Sequence, residues 1–250
     1  MAHKTLISGT AYSVSGGREL IGGTGYAKKK GRVLVDGTGY DIPFSSGIPL
    51  STVALGDILM LNENGSPVPF YICKHDYESG LNGTGRTLLV RKDCYDSRIY
   101  ANWGNGFKES AINTWLNDAW IKLLDKDVQT AVGRTKFTYL STNTGNKGTL
   151  EQAVFLLSRT EIGAGSSGDG TALDSVVRKK IAVAHINGTA VNYWTRTRDI
   201  SEENVVYIIT SSGTYSGSTC YNQRGSRPAF TLPGTFPVIQ NPDGTYSPAA

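Results

Sequence analysis

Four features of the sequence are candidates for chemistry: a His-Asp pair, an Asp-Gly loop, the cysteines and a Gly-Ala-Gly turn. His75-Asp76 sets an imidazole beside a carboxylate, as a general base requires, but His3 and His185 lie far off in sequence and the pair reads as a polar strand end. Asp169-Gly170 sits in a Gly/Ser loop, yet the alternating oxygen ligands and closing Glu of a calcium loop are missing. The three cysteines, Cys73, Cys94 and Cys220, form no Cys-x-x-Cys pair and no metal-ligand spacing, so they read as reduced thiols. Cys220 stands beside Tyr221 and near Arg224, where local positive charge would activate it, but no partner base lies nearby in sequence. Gly163-Ala164-Gly165 is followed by no Lys-Ser/Thr signature and is a turn rather than a phosphate loop. These residues predict no catalysis, no metal and no cofactor.

A different chemistry, recognition, fits the stretch from Asn192 to Leu232. Trp194 and Phe230 are large apolar anchors, and between them Ser211 to Asn222 is almost wholly Ser, Gly, Thr, Asn and Tyr. Recognition loops use this composition, because Tyr offers rigid contact area with a polar tip while small residues adapt. The ligand face expected from it is Asn192, Tyr193, Tyr215, Tyr221, Asn222 and Arg224. Arg227, opening the strand Arg227-Pro228-Ala229-Phe230, is expected to pair with a carboxylate such as Glu161 and lock the base of the loop; Arg196 is assigned to the framework with it.

The elements that must hold this face follow from composition and period. A chain of 250 residues with 30 glycines and 13 tyrosines leans toward many short strands and tight turns. Net charge is only +4, and the one dense cationic run, Lys28-Lys29-Lys30 with Arg32, sits at a Gly-flanked turn, so no nucleic-acid partner is expected. No apolar leader or membrane-length apolar run occurs, and no membrane insertion is expected.

Three copies of an aliphatic pair, a Gly turn and a Thr-x-Tyr strand begin at Leu6, Leu20 and Leu34, a strict 14-residue period. Residues 1–46 are thus a small all-β segment of six short strands, too small to keep a core alone and suited to bundling as a homotrimer. The Pro/Gly/Ser joint at 41–50 marks the boundary of a second domain over residues 50–232, an α+β mixture of antiparallel strands and two helices. Strands are predicted at 52–61, 68–73, 87–92, 153–157, 194–197 and 205–210, with a polar loop over 138–149. Ser110 N-caps a helix whose stripe of Ile112, Trp115, Leu116, Ala119, Leu123 and Leu124 extends to Val132. That stripe puts Trp115 in the core and Trp120 off it, covering an edge. A second helix is predicted within 172–184, Ser158-Arg159-Thr160-Glu161 has capping-box spacing, and residues 233–250, with four prolines, read as an extended arm.

The order Ser110-x-Ile112-x-x-Trp115-Leu116-Asn117, Val154 to Ser158 with Glu161, Tyr193 to Thr197 and Arg227 to Phe230 resembles an uncharacterised domain family of phage and Firmicute-associated proteins. That family is similar to the C-type-lectin-like fold of formylglycine-generating enzymes and phage tropism determinants. The N-terminal Gly-Thr-x-Tyr repeats resemble segments of tailed-phage structural proteins. The resemblance implies a virion protein, attached to other virion proteins by its repeats, trimeric, and presenting its C-terminal domain to a host cell-surface glycan or protein. Cys220 lacks the second cysteine of the enzymes, and the calcium motifs of true lectins are missing, which implies calcium-independent binding without enzyme activity. The alternatives are a capsid or tail decoration protein without a receptor, and an oxidative enzyme using Cys220.

Overall fold

The computed structural model describes residues 4–7, 10–13, 30–35, 38–43, 47–104, 106–140 and 145–249, the first four of these stretches as backbone strands. The chain divides into two compact units, residues 1–46 with 249–250, and residues 47–248.

In the first unit, β1 (Lys4–Ile7) and β2 (Thr10–Ser13) form an antiparallel hairpin in which Ile7 pairs with Thr10. β3 (Lys30–Val35) and β4 (Thr38–Pro43) repeat the arrangement with Val35 opposite Thr38. In sequence, Ser8-Gly9 and Asp36-Gly37 separate the aliphatic strand from the Thr-x-Tyr strand of each hairpin. The second copy of the repeat, from Leu20 to Tyr26, and the Lys28-Lys29 part of the cationic run lie outside the described residues.

The second unit is a mixed α+β domain, mostly antiparallel, with short helices. Its strands are β5 (Ile48–Pro49), β6 (Ile58–Glu63), β7 (Ser66–Lys74), β8 (Arg86–Arg91), β9 (Asp96–Arg98), β10 (Thr135–Leu140), β11 (Lys147–Gln152) and β12 (Val154–Phe155). They continue with β13 (Ala184–Ile186), β14 (Thr189–Val191), β15 (Tyr193–Arg198), β16 (Val205–Ile209), β17 (Tyr215–Thr219), β18 (Arg224–Ser226), β19 (Ala229–Pro233), β20 (Pro237–Gln240) and β21 (Tyr246–Pro248). The helices are α1 (Ser79–Asn82), α2 (Ala111–Asp118), α3 (Lys126–Ala131), α4 (Arg159–Ile162) and α5 (Ser175–Ile181). An eight-stranded sheet runs in the order β12-β19-β8-β7-β6-β21-β20-β5, and a five-stranded sheet in the order β17-β16-β15-β18-β9. Two pairs are parallel, β15 with β18 and β21 with β6.

Several expectations change. The stripe beginning at Ile112 does not make one helix: α2 ends at Asp118, residues 120–123 turn as a 3-10 helix, and α3 starts after Asp125. Trp120 is the cause, since it is fully buried with its ring 6.4 Å from Phe70 and 6.0 Å from Phe230, and the chain must rotate inward to place it there. Trp115 is the half-buried one, covered by Tyr95 and by the Arg98 guanidinium, whose carbon is 3.3 Å from the ring centre.

The loop expected over 138–149 belongs to the β10–β11 hairpin, registered from Thr135 opposite Gln152 to Leu140 opposite Lys147. Its inward residues are Thr135, Phe137 and Tyr139, an alternation hidden by the polar residues between them. The proline-containing tail is not an arm: β20 and β21 form a hairpin between β6 and β5, burying Val238 and Tyr246. Its strand prolines stand at the ends, Pro237 opening β20 and Pro248 closing β21, where a missing N–H is tolerated.

One polar cluster ties these layers together. Arg196, fully buried on β15, donates through Nη1 to Glu161 Oε2 at 2.6 Å and through Nη2 to Glu161 Oε1 at 3.0 Å. Its other three N–H groups reach the carbonyls of Thr138, Leu156 and Asp169 at 3.1, 3.0 and 2.7 Å, so all five donors are used. Glu161 also accepts from Tyr77 Oη at 2.5 Å and from the Ser158 N–H at 2.8 Å, completing the capping box that starts α4. Burial disfavours the Arg196 charge, but Glu161 and the hydrogen bonds to it outweigh this and hold the guanidinium above its usual pKa.

Truncating one member leaves a buried charge unpaired, which costs about 3–5 kcal/mol. Urea denaturation of Glu161→Ala is expected to show a loss of that size relative to the parent chain. An unchanged midpoint would mean that the pair does not hold the layers together.

Candidate ligand-binding surface

The structure separates the residues expected to form one ligand face. Tyr193 is buried: its hydroxyl donates to the Ile181 carbonyl at 2.8 Å and its ring lies 5.0 Å from the Arg227 guanidinium carbon, so it is a core residue. Asn192 and Arg224 share a hollow of about 340 Å3 with Ser97, Ile186, Val191 and Gln223. Asn192 Oδ1 accepts from the Ser211 N–H at 2.8 Å, which fixes the side-chain amide. Tyr221 is 54% exposed in the turn after β17, and Asn222 beside it is exposed, donating to Ser218 Oγ at 3.3 Å. Tyr215, 50% exposed, opens β17 and packs edge-on against Tyr207 at 6.1 Å.

The stretch from Ser211 to Asn222 is therefore no free loop. A tight turn from Thr210 to Thr214, closed by the Thr214 carbonyl accepting from the Thr210 N–H, feeds β17, which pairs with β16 from Ile209–Tyr215 to Val205–Thr219. β17 ends the five-stranded sheet, so its outer backbone groups and small polar side chains face outward from an edge. Gly217 has a packing reason: a Cβ there would come within 2.8 Å of the Val205 side chain.

Arg227 does not pair with Glu161. Its guanidinium caps three carbonyls, those of Arg91, Ile181 and Lys92 at 2.8, 2.5 and 2.6 Å, because β19 starts where β8 and α5 both end. Asp169 is no calcium ligand: it is fully buried and accepts from the hydroxyls of Thr160 and Thr197. His75 bonds Thr87 Oγ1 at 3.0 Å and the Val53 carbonyl at 2.9 Å, which makes it framework. Among the described residues no three His, Cys, Asp or Glu side chains group as metal ligands.

A second concavity escapes sequence reading. Leu140, Gly145, Lys147, Arg159, Ser166, Ser167, Gly168, Arg198, Ile200 and Tyr207 line a cleft of about 440 Å3. Its three charged residues are all cations. Arg159, first residue of α4, lies across Tyr207 and Tyr215, its guanidinium carbon 4.1 and 4.5 Å from their ring centres. Arg198, at the end of β15, is 3% exposed and, among the described residues, donates to the carbonyls of Gly104 and Glu203. The buried Nε atoms of Arg159 and Arg198 have no partner among the described residues. Gly168, at φ +69°, lets the 163–170 loop approach Lys147, whose Nζ would be 2.4 Å from a Cβ placed there. Burial, together with a hydrogen bond to Asp199, raises the Tyr207 pKa, while the Arg159 charge opposes the rise.

These residues come from four segments, so no local motif announces them. The nearest signal was Arg196-x-Arg198, whose alternation would put both arginines on one face, but β15 shifts register between Trp194 and Arg198.

The second unit is thus an α+β domain offering an exposed sheet edge and a cationic cleft. The chain belongs to the family described as Domain of unknown function (DUF6273), whose model matches residues 84–234. That span runs from just before β8 to just after β19 and holds the Arg196–Glu161 pair, the cleft and β17. No curated protein and no solved structure matches the chain.

All three described thiols are buried, and burial pushes Cys73 and Cys94 up to about 12 and raises Cys220. Native protein at about pH 8 is therefore expected to resist a thiol reagent that labels the unfolded chain rapidly. Unfolded thiols ionise near ~8.5, so the native state keeps protons that the unfolded state gives up; the associated stability is full below that value and falls as pH rises toward about 12. The urea midpoint should accordingly drop between about pH 8 and about pH 10.5. Rapid native labelling of Cys220 would overturn this assignment.

Proposed function

We propose that this protein is a phage virion component, at a tail tip, fibre or baseplate, that holds to the host cell surface through a lectin-like domain without calcium. The observation that carries the reading is the edge of the five-stranded sheet. β17 exposes Tyr215, Ser216 and Gly217, Tyr221 follows it half-exposed, and the strands behind are fixed by a fully hydrogen-bonded core network. Rigid aromatic contact area set among small polar side chains is what a recognition surface requires. The proposed contacts are Tyr215, Tyr221 and Asn222 at the sheet edge and Asn192 and Arg224 in their own hollow, with the buried Tyr193 as support.

The hairpins of residues 1–46 serve as the anchoring and trimerisation segment, since two-stranded ribbons gain stability by bundling. Several copies on one particle multiply weak single sites. Burial of Cys220 counts against an oxidative enzyme using that thiol. The second reading, a decoration protein without a receptor, draws on the shallowness of the Asn192–Arg224 hollow.

Binding of the purified chain to a panel of bacterial cell envelopes, with molar mass from light scattering, tests the proposal. Trimeric protein is expected to bind, and the variant Tyr215→Ala, Tyr221→Ala, Asn222→Ala is expected to lose about tenfold or more. A folded oligomer that binds no envelope would leave the decoration reading.

A further inference from the structure

We infer that the cleft between β11, α4 and the end of β15 is a binding site for an acidic saccharide, a sugar ring carrying a carboxylate or phosphate. The inference rests on reading the domain as a binding module, and it assigns the ligand chemistry of a site separate from the Asn192–Arg224 hollow.

The charge arrangement comes first. The fully buried Arg196 has Glu161, the buried Arg227 caps three carbonyls, and the half-buried Arg91 forks onto Glu63 at 3.0 Å for each bond; the half-buried Arg178 and Arg224, outside the cleft, also keep an unpartnered Nε. Arg198 is as buried as Arg227, faces no carboxylate among the described residues, and keeps an unpartnered Nε. A buried cation with incomplete pairing is costly to hold unless an anion completes it. Arg159 repeats the pattern, with two rings beneath its plane and a buried Nε still unpartnered. Lys147 adds a third positive charge at the rim. The nearby carboxylate, Asp199, is already engaged by the Ser201 N–H at 2.8 Å and by Tyr207.

The walls supply the rest. Tyr207, Leu140 and the 55% exposed Ile200 provide apolar surface for the carbon face of a ring, and Ser166 and Ser167 add polar residues to the lining. A volume of about 440 Å3 lies within the range of small-molecule sites. A bare inorganic anion would leave the apolar wall uncovered, and a neutral sugar would leave the arginines unpaired. An acidic saccharide satisfies both.

The test titrates the full chain with D-glucuronate, glucose 6-phosphate, glucose and inorganic phosphate, followed by backbone amide NMR shifts. Saturable shifts at Arg159, Ser167, Arg198 and Ile200 with at least one acidic sugar, and none with glucose, are expected. Arg159→Gln should weaken that binding about tenfold and Lys147→Ala about threefold, with more salt weakening it further. Urea midpoints confirm that both variants are folded, and Lys147→Ala, exposed and remote from the core, keeps the test valid if Arg159→Gln is not. Glucose binding as well as glucuronate, acidic sugars shifting residues elsewhere, no saturation by any probe, or inorganic phosphate matching the sugars would each overturn the inference. Acidic-sugar binding that survives in a protein unable to bind envelopes would remove the adhesion reading and leave this one standing.

Discussion

The second unit depends on a guanidinium that can be neither solvated nor left alone. Arg196 lies where β10, the 156–158 segment, the 169 loop and α4 converge; the first three supply one carbonyl each and α4 supplies both carboxylate oxygens of Glu161. Because Glu161 occupies the third position of a capping box, the residue that neutralises the arginine also starts α4 and fixes Ser158. Tyr77 adds the segment after β7 through the same carboxylate, and its ring stacks on Phe155 at 5.6 Å. Removing any one group leaves the others with unmet hydrogen bonds in a low-dielectric interior, so the cluster is satisfied as a whole or not at all. It confers one arrangement on elements whose apolar contacts alone would tolerate several.

Much of this domain was legible where a pattern is local. β6, β7, β8, β15 and β16 fall on apolar or β-branched runs, α5 on its stripe of Val177 and Ile181, and the capping box on its four-residue spacing. Illegible were the features decided by distant partners. Trp115 and Trp120 exchange expected burial because Phe70 and Phe230, far along the chain, form the slot that takes Trp120. Arg227 and Arg196 are chemically alike in the sequence, and only the crossing of β8, α5 and β15 decides which meets Glu161. A polar stretch such as 211–222 looks like loop because an edge strand buries little, and its ladder to β16 leaves no mark on composition.

The two candidate surfaces differ in how their side chains are held. Around Asn192 and Arg224 the groups are half-exposed and adaptable, with the amide oriented by the Ser211 backbone. In the cleft the cations are preset: Arg159 by two tyrosine rings and Arg198 by two carbonyls. A preset group loses little freedom when it meets a ligand, so the cleft suits small rigid partners and the sheet edge suits extended ones.

The hairpin of β20 and β21 carries a consequence for folding. It lies between β6 and β5, so strands at the start of the domain are joined only through strands at its far end in sequence. Until Tyr246 reaches Leu59, β6 has an open edge and the slot for Val238 is empty. The sheet therefore closes only once residues 237–248 have folded back, and a domain interrupted before Pro237 exposes the unpaired backbone that favours association between incomplete copies. Closure of the eight-stranded sheet thereby becomes the domain's longest-range pairing, the kind that forms late in folding.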